Sequence, residues 1–131
     1  MISVMPQPLP NLSRAEYGIL RILWKQGRQS VREVHDQLKS SHHWAYTTTK
    51  TMMDRMVSKK LLKRDSFHGI FLYTPLISRP AGLARFVHFF AERVLETDPG
   101  NVVSLFSKSG TISRDELDEL ERLLDQLDKD D

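Results

Sequence analysis

The chain has 131 residues, of which 40% are apolar and 27% charged, a balance that suits a soluble globular protein and excludes a disordered one. The length admits a compact domain with a helical extension and excludes two independent folds, while the absence of cysteine excludes disulfides, thiol nucleophiles and thiolate metal sites. A net charge of +2 conceals a division, because residues 1–80 hold 13 Lys+Arg against 5 Asp+Glu (+8) and residues 81–131 hold 6 against 12 (−6), so a polyanionic partner is expected at the first 80 residues.

No apolar run approaches the roughly 20 residues that span a bilayer, and residues 1–10 lack the basic start and apolar core of an export signal. No membrane insertion is expected, and the cytoplasm is the expected location. Three segments then open with one pattern: Ser13 with Glu16, Ser30 with Glu33, and Ser113 with Glu116. Each reads as a capping box, in which the serine oxygen accepts an amide that the helix cannot pair and the glutamate reaches back to the cap amide. Leu12 and Ile112 stand where a hydrophobic staple packs on Tyr17 and Leu117.

The first helix is predicted over residues 14–26, burying Ile19, Ile22 and Leu23 and ended by Gly27 in the left-handed conformation. A second, over 31–39, places Val31, Val34 and Leu38 on one face and is followed by a polar turn. A third, over 46–60, turns Thr49, Met53 and Met56 inward, with Met52 and Val57 flanking them as further core. Residues 61–66 and 70–75 read as two strands around the turn Phe67-His68-Gly69. Pro75 and Pro80 bracket a linker, after which Leu83, Val87, Phe90, Ala91 and Val94 form a helical stripe ending near residues 98–100. A short apolar segment at 102–106 precedes a last helix whose Leu117, Leu120, Leu124 and Leu127 fall on one seam.

Helix, helix, turn, helix and hairpin within about 65 residues is the order of a winged helix-turn-helix. The expected fold class is therefore mainly α, with three helices and a β-hairpin wing over residues 1–77 and a helical dimerisation region over residues 78–131. The outer face of the third helix offers Thr47, Thr48, Lys50, Thr51 and Arg55 against the single acid Asp54. Threonine hydroxyls bond phosphates or base edges, and lysine and arginine add charge for phosphate or guanine; the bland alternative is that the threonines are caps and the lysine is solvated. Lys59, Lys60, Lys63 and Arg64 extend the basic surface toward the wing, where His68 sits at the turn. The residues after Pro80 are too few to enclose a core, so Phe86, Phe89, Phe90, Phe106 and the leucine seam are expected to pack against a second copy of the chain, the alternative being the winged domain itself.

Leu12-Ser13-Arg14-Ala15-Glu16-Tyr17 through Leu23-Trp24, then Trp44 with Thr48, Thr51 and Arg55-Met56, then Leu72-Tyr73-Thr74-Pro75, resemble the penicillinase repressor family of BlaI, MecI and CopY relatives, from Leu12 to about Gln126. The resemblance implies a homodimeric repressor of transcription that binds double-stranded, inverted-repeat operator DNA. Its third helix would enter the major groove and its C-terminal helices, through Leu83, Phe86, Val87, Phe90, Val94, Phe106, Leu117, Leu120, Leu124 and Leu127, would join the subunits. It also implies inactivation by cleavage in the dimerisation region, triggered through a membrane sensor-protease. Leu105-Phe106 stands where that family has an Asn-Phe bond, and the cysteine pairs of copper-responsive relatives are absent. Tyr46 and Thr47 replace proline and lysine, Lys60 replaces a helix-ending glycine, and Phe67-His68-Gly69 replaces a glycine followed by a basic residue.

No phosphate-binding glycine loop, nucleophile motif or zinc-protease pairing is found, so neither an enzyme nor a cofactor is expected. His35, His42 and His43 read as surface turn residues and no metal is expected. Trp24 and Trp44 are expected to brace the domain. The competing function is a winged-helix protein-interaction module, which would show apolar exposure on the third helix or hairpin.

Overall fold

The computed structural model describes residues 9–130. Most of the segment expected to lack an export signal, residues 1–8, lies outside the described residues. Two compact units are present: Leu12–Ser78, and the described residues from Arg79 onward together with those preceding Leu12.

In the first unit the order is α1 (Arg14–Gln26), α2 (Val31–Leu38), α3 (Tyr46–Ser58), β1 (Leu62–Phe67) and β2 (Ile70–Pro75). Ser13 and Ser30 close their capping boxes with Glu16 and Glu33. The apolar faces meet in one core of Ile19, Leu20 and Leu23 from α1, Val31, Val34 and Leu38 from α2, Met53 and Met56 from α3, and Leu61, Leu62 and Tyr73 from the hairpin. Ile22 and Met52 are only partly buried, and Leu20 takes the inner place expected of Ile22. Gly27 has positive φ (+81°) as expected, but its ψ of −167° lies outside the left-handed helical region.

The strands pair antiparallel with Phe67 opposite Ile70, so Phe67 belongs to β1 rather than to the turn, and the loop is His68-Gly69 alone. Both residues have positive φ (50° and 79°), as the twist-matched two-residue hairpin turn demands. Tyr73 also exchanges backbone hydrogen bonds with Gln29, which ties the wing to the segment between α1 and α2. Both tryptophans brace the unit: Trp24 Nε1 donates to the Ile77 carbonyl (3.0 Å) and Trp44 Nε1 to Thr49 Oγ1 (2.8 Å). This is a winged helix-turn-helix.

The second unit holds α4 (Arg79–Phe89), a π-helical turn (Phe90–Val94), α5 (Pro99–Ser109) and α6 (Arg114–Asp130). Pro80 lies in the first turn of α4, where a missing N–H costs nothing, and not at the end of a linker. The stretch expected as a short apolar segment is a helix: Asp98 accepts from the Gly100 amide, Pro99 opens the first turn, and left-handed Gly110 (φ 71°, ψ 7°) ends it. Ser113 and Glu116 complete the third capping box at α6.

The unit encloses a core of its own, correcting the expectation that these residues are too few to do so. Ala84, Val87, Ala91, Val102, Val103, Leu117, Leu120, Leu123, Leu124 and Leu127 are buried together within one chain. The inward row is Ala84 and Val87 of α4 and Ala91 of the π-helical turn; Leu83 is half-buried, while Phe90 and Val94 of the expected stripe are exposed. Among the described residues no helix is long and apolar enough to cross a membrane.

Candidate nucleic-acid interface

The outer side of α3 is built by what its inner side requires. Thr49, Met53 and Met56 face the core, so the intervening positions are forced outward: Thr47, Thr48, Lys50, Thr51 and Arg55 are all exposed. Thr47, Thr48, Thr51 and Arg55, with Met52, line one shallow concavity of about 220 Å³. The threonines are not caps, since the N-cap is Ala45, which has no side-chain oxygen. The first-turn amides of α3 thus lack a side-chain acceptor, and the positive end of the helix dipole lies beside the hydroxyls.

Lys50 does not line this concavity. Its Nζ lies 2.8 Å from Asp54 Oδ2, one turn along the helix, and Asp54 Oδ1 accepts from Arg64 (3.1 Å) and from the buried Tyr73 hydroxyl (2.7 Å). Burial by itself would raise the Asp54 carboxyl; Lys50, Tyr73 and Arg64 outweigh it and hold the group below the ordinary carboxylate value. Conversely, burial and then Asp54 push the Tyr73 phenol up to about 12. One carboxylate therefore ties α3 to both strands of the wing and fixes where the Lys50 and Arg64 charges sit.

The other expected contacts are dispersed. Lys59 is drawn to the buried Glu16 of α1 at 2.7 Å, Lys63 lies 3.5 Å from Asp65 on its own strand, and the His68 ring stands edge-on to Phe67 at the wing tip. Burial would raise Glu16 too, and Lys59 with the Ser13 cap lowers it instead. Unexpected participants are arginines laid on rings: Arg64 over Phe71 (4.6 Å), Arg28 over Phe67 (5.0 Å) and Arg32 over Tyr46 (4.2 Å). Asp54 was legible as the acid four residues from Lys50; Arg28 and Arg32 carry no signal without the fold.

His35 is buried with Nδ1 2.8 Å from Thr49 Oγ1, which corrects its placement at a surface turn. In the second unit, the expected subunit contacts divide. Leu117, Leu120, Leu124 and Leu127 are buried in the chain's own core with Val87, and Leu83 and Phe106 pack against it; Phe86, Phe90 and Val94 are exposed, as is Phe89. Leu105 is exposed and both Leu105 and Phe106 lie inside α5. The described residues also include a cluster with metal-ligating chemistry, His88, Glu92 and Asp128, away from the three histidines considered from sequence.

The family model described as Penicillinase repressor matches residues 12–126. The chain is 26% identical over 118 residues to the Penicillinase repressor of Bacillus licheniformis, covering 90% of this chain and 92% of that protein. It is 23% identical over 115 residues to the Methicillin resistance regulatory protein MecI of Mammaliicoccus sciuri, covering 88% and 94%. Among solved structures it is similar to the Bacillus licheniformis BlaI monomeric form in complex with the blaP half-operator, at 28% identity and a TM-score of 0.50, over 56% of this chain and 90% of that one.

Proposed function

The chain belongs to the penicillinase repressor family, and on that premise we propose that it is a DNA-binding repressor of transcription that acts as a homodimer on an inverted-repeat operator. The observation that carries this reading is the uncapped, exposed start of α3, where Thr47, Thr48, Thr51 and Arg55 share one concavity. A helix fits the major groove, and short hydroxyl side chains beside an arginine allow close approach to base edges and phosphates. The similar BlaI structure, solved with a half-operator, supports the same use of the corresponding domain. Residues 1–77 would bind the operator and residues 78–131 would join the protomers. Release would follow cleavage in the dimerisation region, at Leu105-Phe106 or at a different bond, the step a sensor-protease would trigger.

The test is a titration against DNA from the chain's own upstream region, at several salt concentrations, with nonspecific competitor. Specific, salt-dependent binding with two protomers per site is expected. The rival reading, a protein-interaction module, is favoured by the exposed Phe67, Ile70 and Phe71 of the wing. Weak binding, equal on every DNA, would turn the assignment to that reading.

A further inference from the structure

We propose that His88, Glu92 and Asp128 form a divalent-cation site that clips α4 and its π-helical turn to α6. His88 Nε2 lies 2.5 Å from Glu92 Oε2 and 3.2 Å from Asp128 Oδ1, and the three ligand atoms all lie within 4.8 Å of one another. Both carboxylates converge on one ring nitrogen. A single Nε2 proton points along only one of those two lines, whereas a cation beside the nitrogen meets both oxygens at once. Charge fits as well: a neutral imidazole with two carboxylates offers −2, which a divalent ion neutralises.

The donors come from two helical segments, the continuous stretch of α4 with its π-helical turn and, separately, α6. His88 lies near the end of α4, Glu92 follows one turn later within the π-helical turn, and Asp128 comes from α6. The His88 side chain is 20% exposed, so its ring is fixed by packing, while Glu92 and Asp128 at 40% and 49% leave an approach for the ion and for water. From Phe90 to Leu95, a stretch that includes Glu92, the helix departs from α geometry, with the Leu95 amide donating to the Phe90 carbonyl, a wide turn that is rare and recurs at functional sites. One imidazole and two carboxylates suit a first-row transition ion of the Zn²⁺ type with water in the remaining position. Mg²⁺ and Ca²⁺, which prefer all-oxygen shells of six or more ligands, fit poorly.

The experiment uses the full chain stripped by chelator and titrated with Zn²⁺ alone, read by calorimetry and by thermal melting. The expected result is one ion per protomer, a Tm that rises with Zn²⁺, and a visible absorption band when Co²⁺ replaces it. His88→Gln and Asp128→Asn should each weaken binding more than about tenfold, since losing even an outer-shell partner costs about 10–100-fold. Asp128→Asn is conservative and exposed, so an unchanged melt without metal certifies its fold. The double variant His42→Ala/His43→Ala should bind normally. Absence of heat and of any Tm change, or binding that survives Asp128→Asn and disappears with His42 and His43, would overturn the site.

Discussion

Two side chains, one buried and one at the surface edge, show how single residues decide the behaviour of α3. Thr49 is the hub of a network that is otherwise apolar in its surroundings, receiving the Trp44 indole N–H while its hydroxyl meets His35 Nδ1, each at 2.8 Å. Thr49→Val keeps the shape and removes both partnerships, leaving a buried imidazole and an indole without them. It is expected to lower stability by about 1–3 kcal/mol, read by urea denaturation; an unchanged midpoint would mean water replaces the hydroxyl. Asp54 is the other. It sits on the helix proposed to meet DNA yet holds two cations, so Lys50→Ala and Asp54→Asn should act in opposite senses. Lys50→Ala should weaken binding to all sequences and reduce the salt slope by about one unit if the lysine meets phosphate. Asp54→Asn removes a repulsive charge and releases Lys50 and Arg64, so nonspecific affinity should rise, its salt slope should steepen, and discrimination for the operator should fall. Equal loss on every DNA in both variants would mean that Asp54 acts only through folding.

At the scale of elements, α3 ends in a turn that sequence and structure describe differently. The Leu61 amide donates to Met56 and the Lys60 amide to Val57, the paired bonds of a Schellman ending, which requires Lys60 in the left-handed region at φ 67°. A lysine there is strained where glycine is not. Lys60→Gly should therefore raise stability by about 0.5–1 kcal/mol, visible as a higher Tm; a fall would show that the lysine stem packs usefully. The substitution was noticeable from sequence as a missing glycine, but its conformation was not. The same contrast runs through the chain. Capping boxes are local chemistry, and Ser13, Ser30 and Ser113 mark the starts of α1, α2 and α6. Asp98-Pro99 is also a legible helix start, but with glycine following it the pair reads first as a turn, which hides α5 from the sequence. Periodicity placed Thr49, Met53 and Met56 inward because their partners lie on several sides. It misjudged Phe90 and Val94, which are exposed beside the buried row of Ala84, Val87 and Ala91. The charge partners of Lys50, Lys59 and Arg64 depend on which elements meet, and no spacing rule reports the pairing of Lys59 with Glu16 43 residues away.

Two packing decisions set properties of the whole molecule. Acid sensitivity follows from Glu16 and Asp54, whose carboxyls lie below their ordinary values of 4.5 and 3.8 in the folded chain. A depressed folded value means stability that is complete above the unfolded value and lost as pH falls through the folded one. Urea midpoints should thus be flat from neutrality to about pH 4.5 and decline below. Glu16→Gln should be less stable than wild type at pH 7, with the difference shrinking as pH falls below 4.5; a constant difference would place its effect outside ionisation. Assembly follows from the division of the second unit's apolar residues into those its own core uses and those it leaves exposed. Leu120→Ala opens a cavity and should cost about 2–5 kcal/mol of stability. Phe90→Glu changes an exposed ring and should leave the fold intact, yet if Phe86, Phe89, Phe90 and Val94 form the proposed subunit contact it should give monomers by sedimentation equilibrium. Linkage of two half-site contacts strengthens binding by about 10²–10⁴-fold without new contacts. The same variant should therefore lose about that factor on a full inverted repeat while binding an isolated half-site as well as wild type. Full-operator affinity retained by a stable monomer would separate repression from this surface altogether.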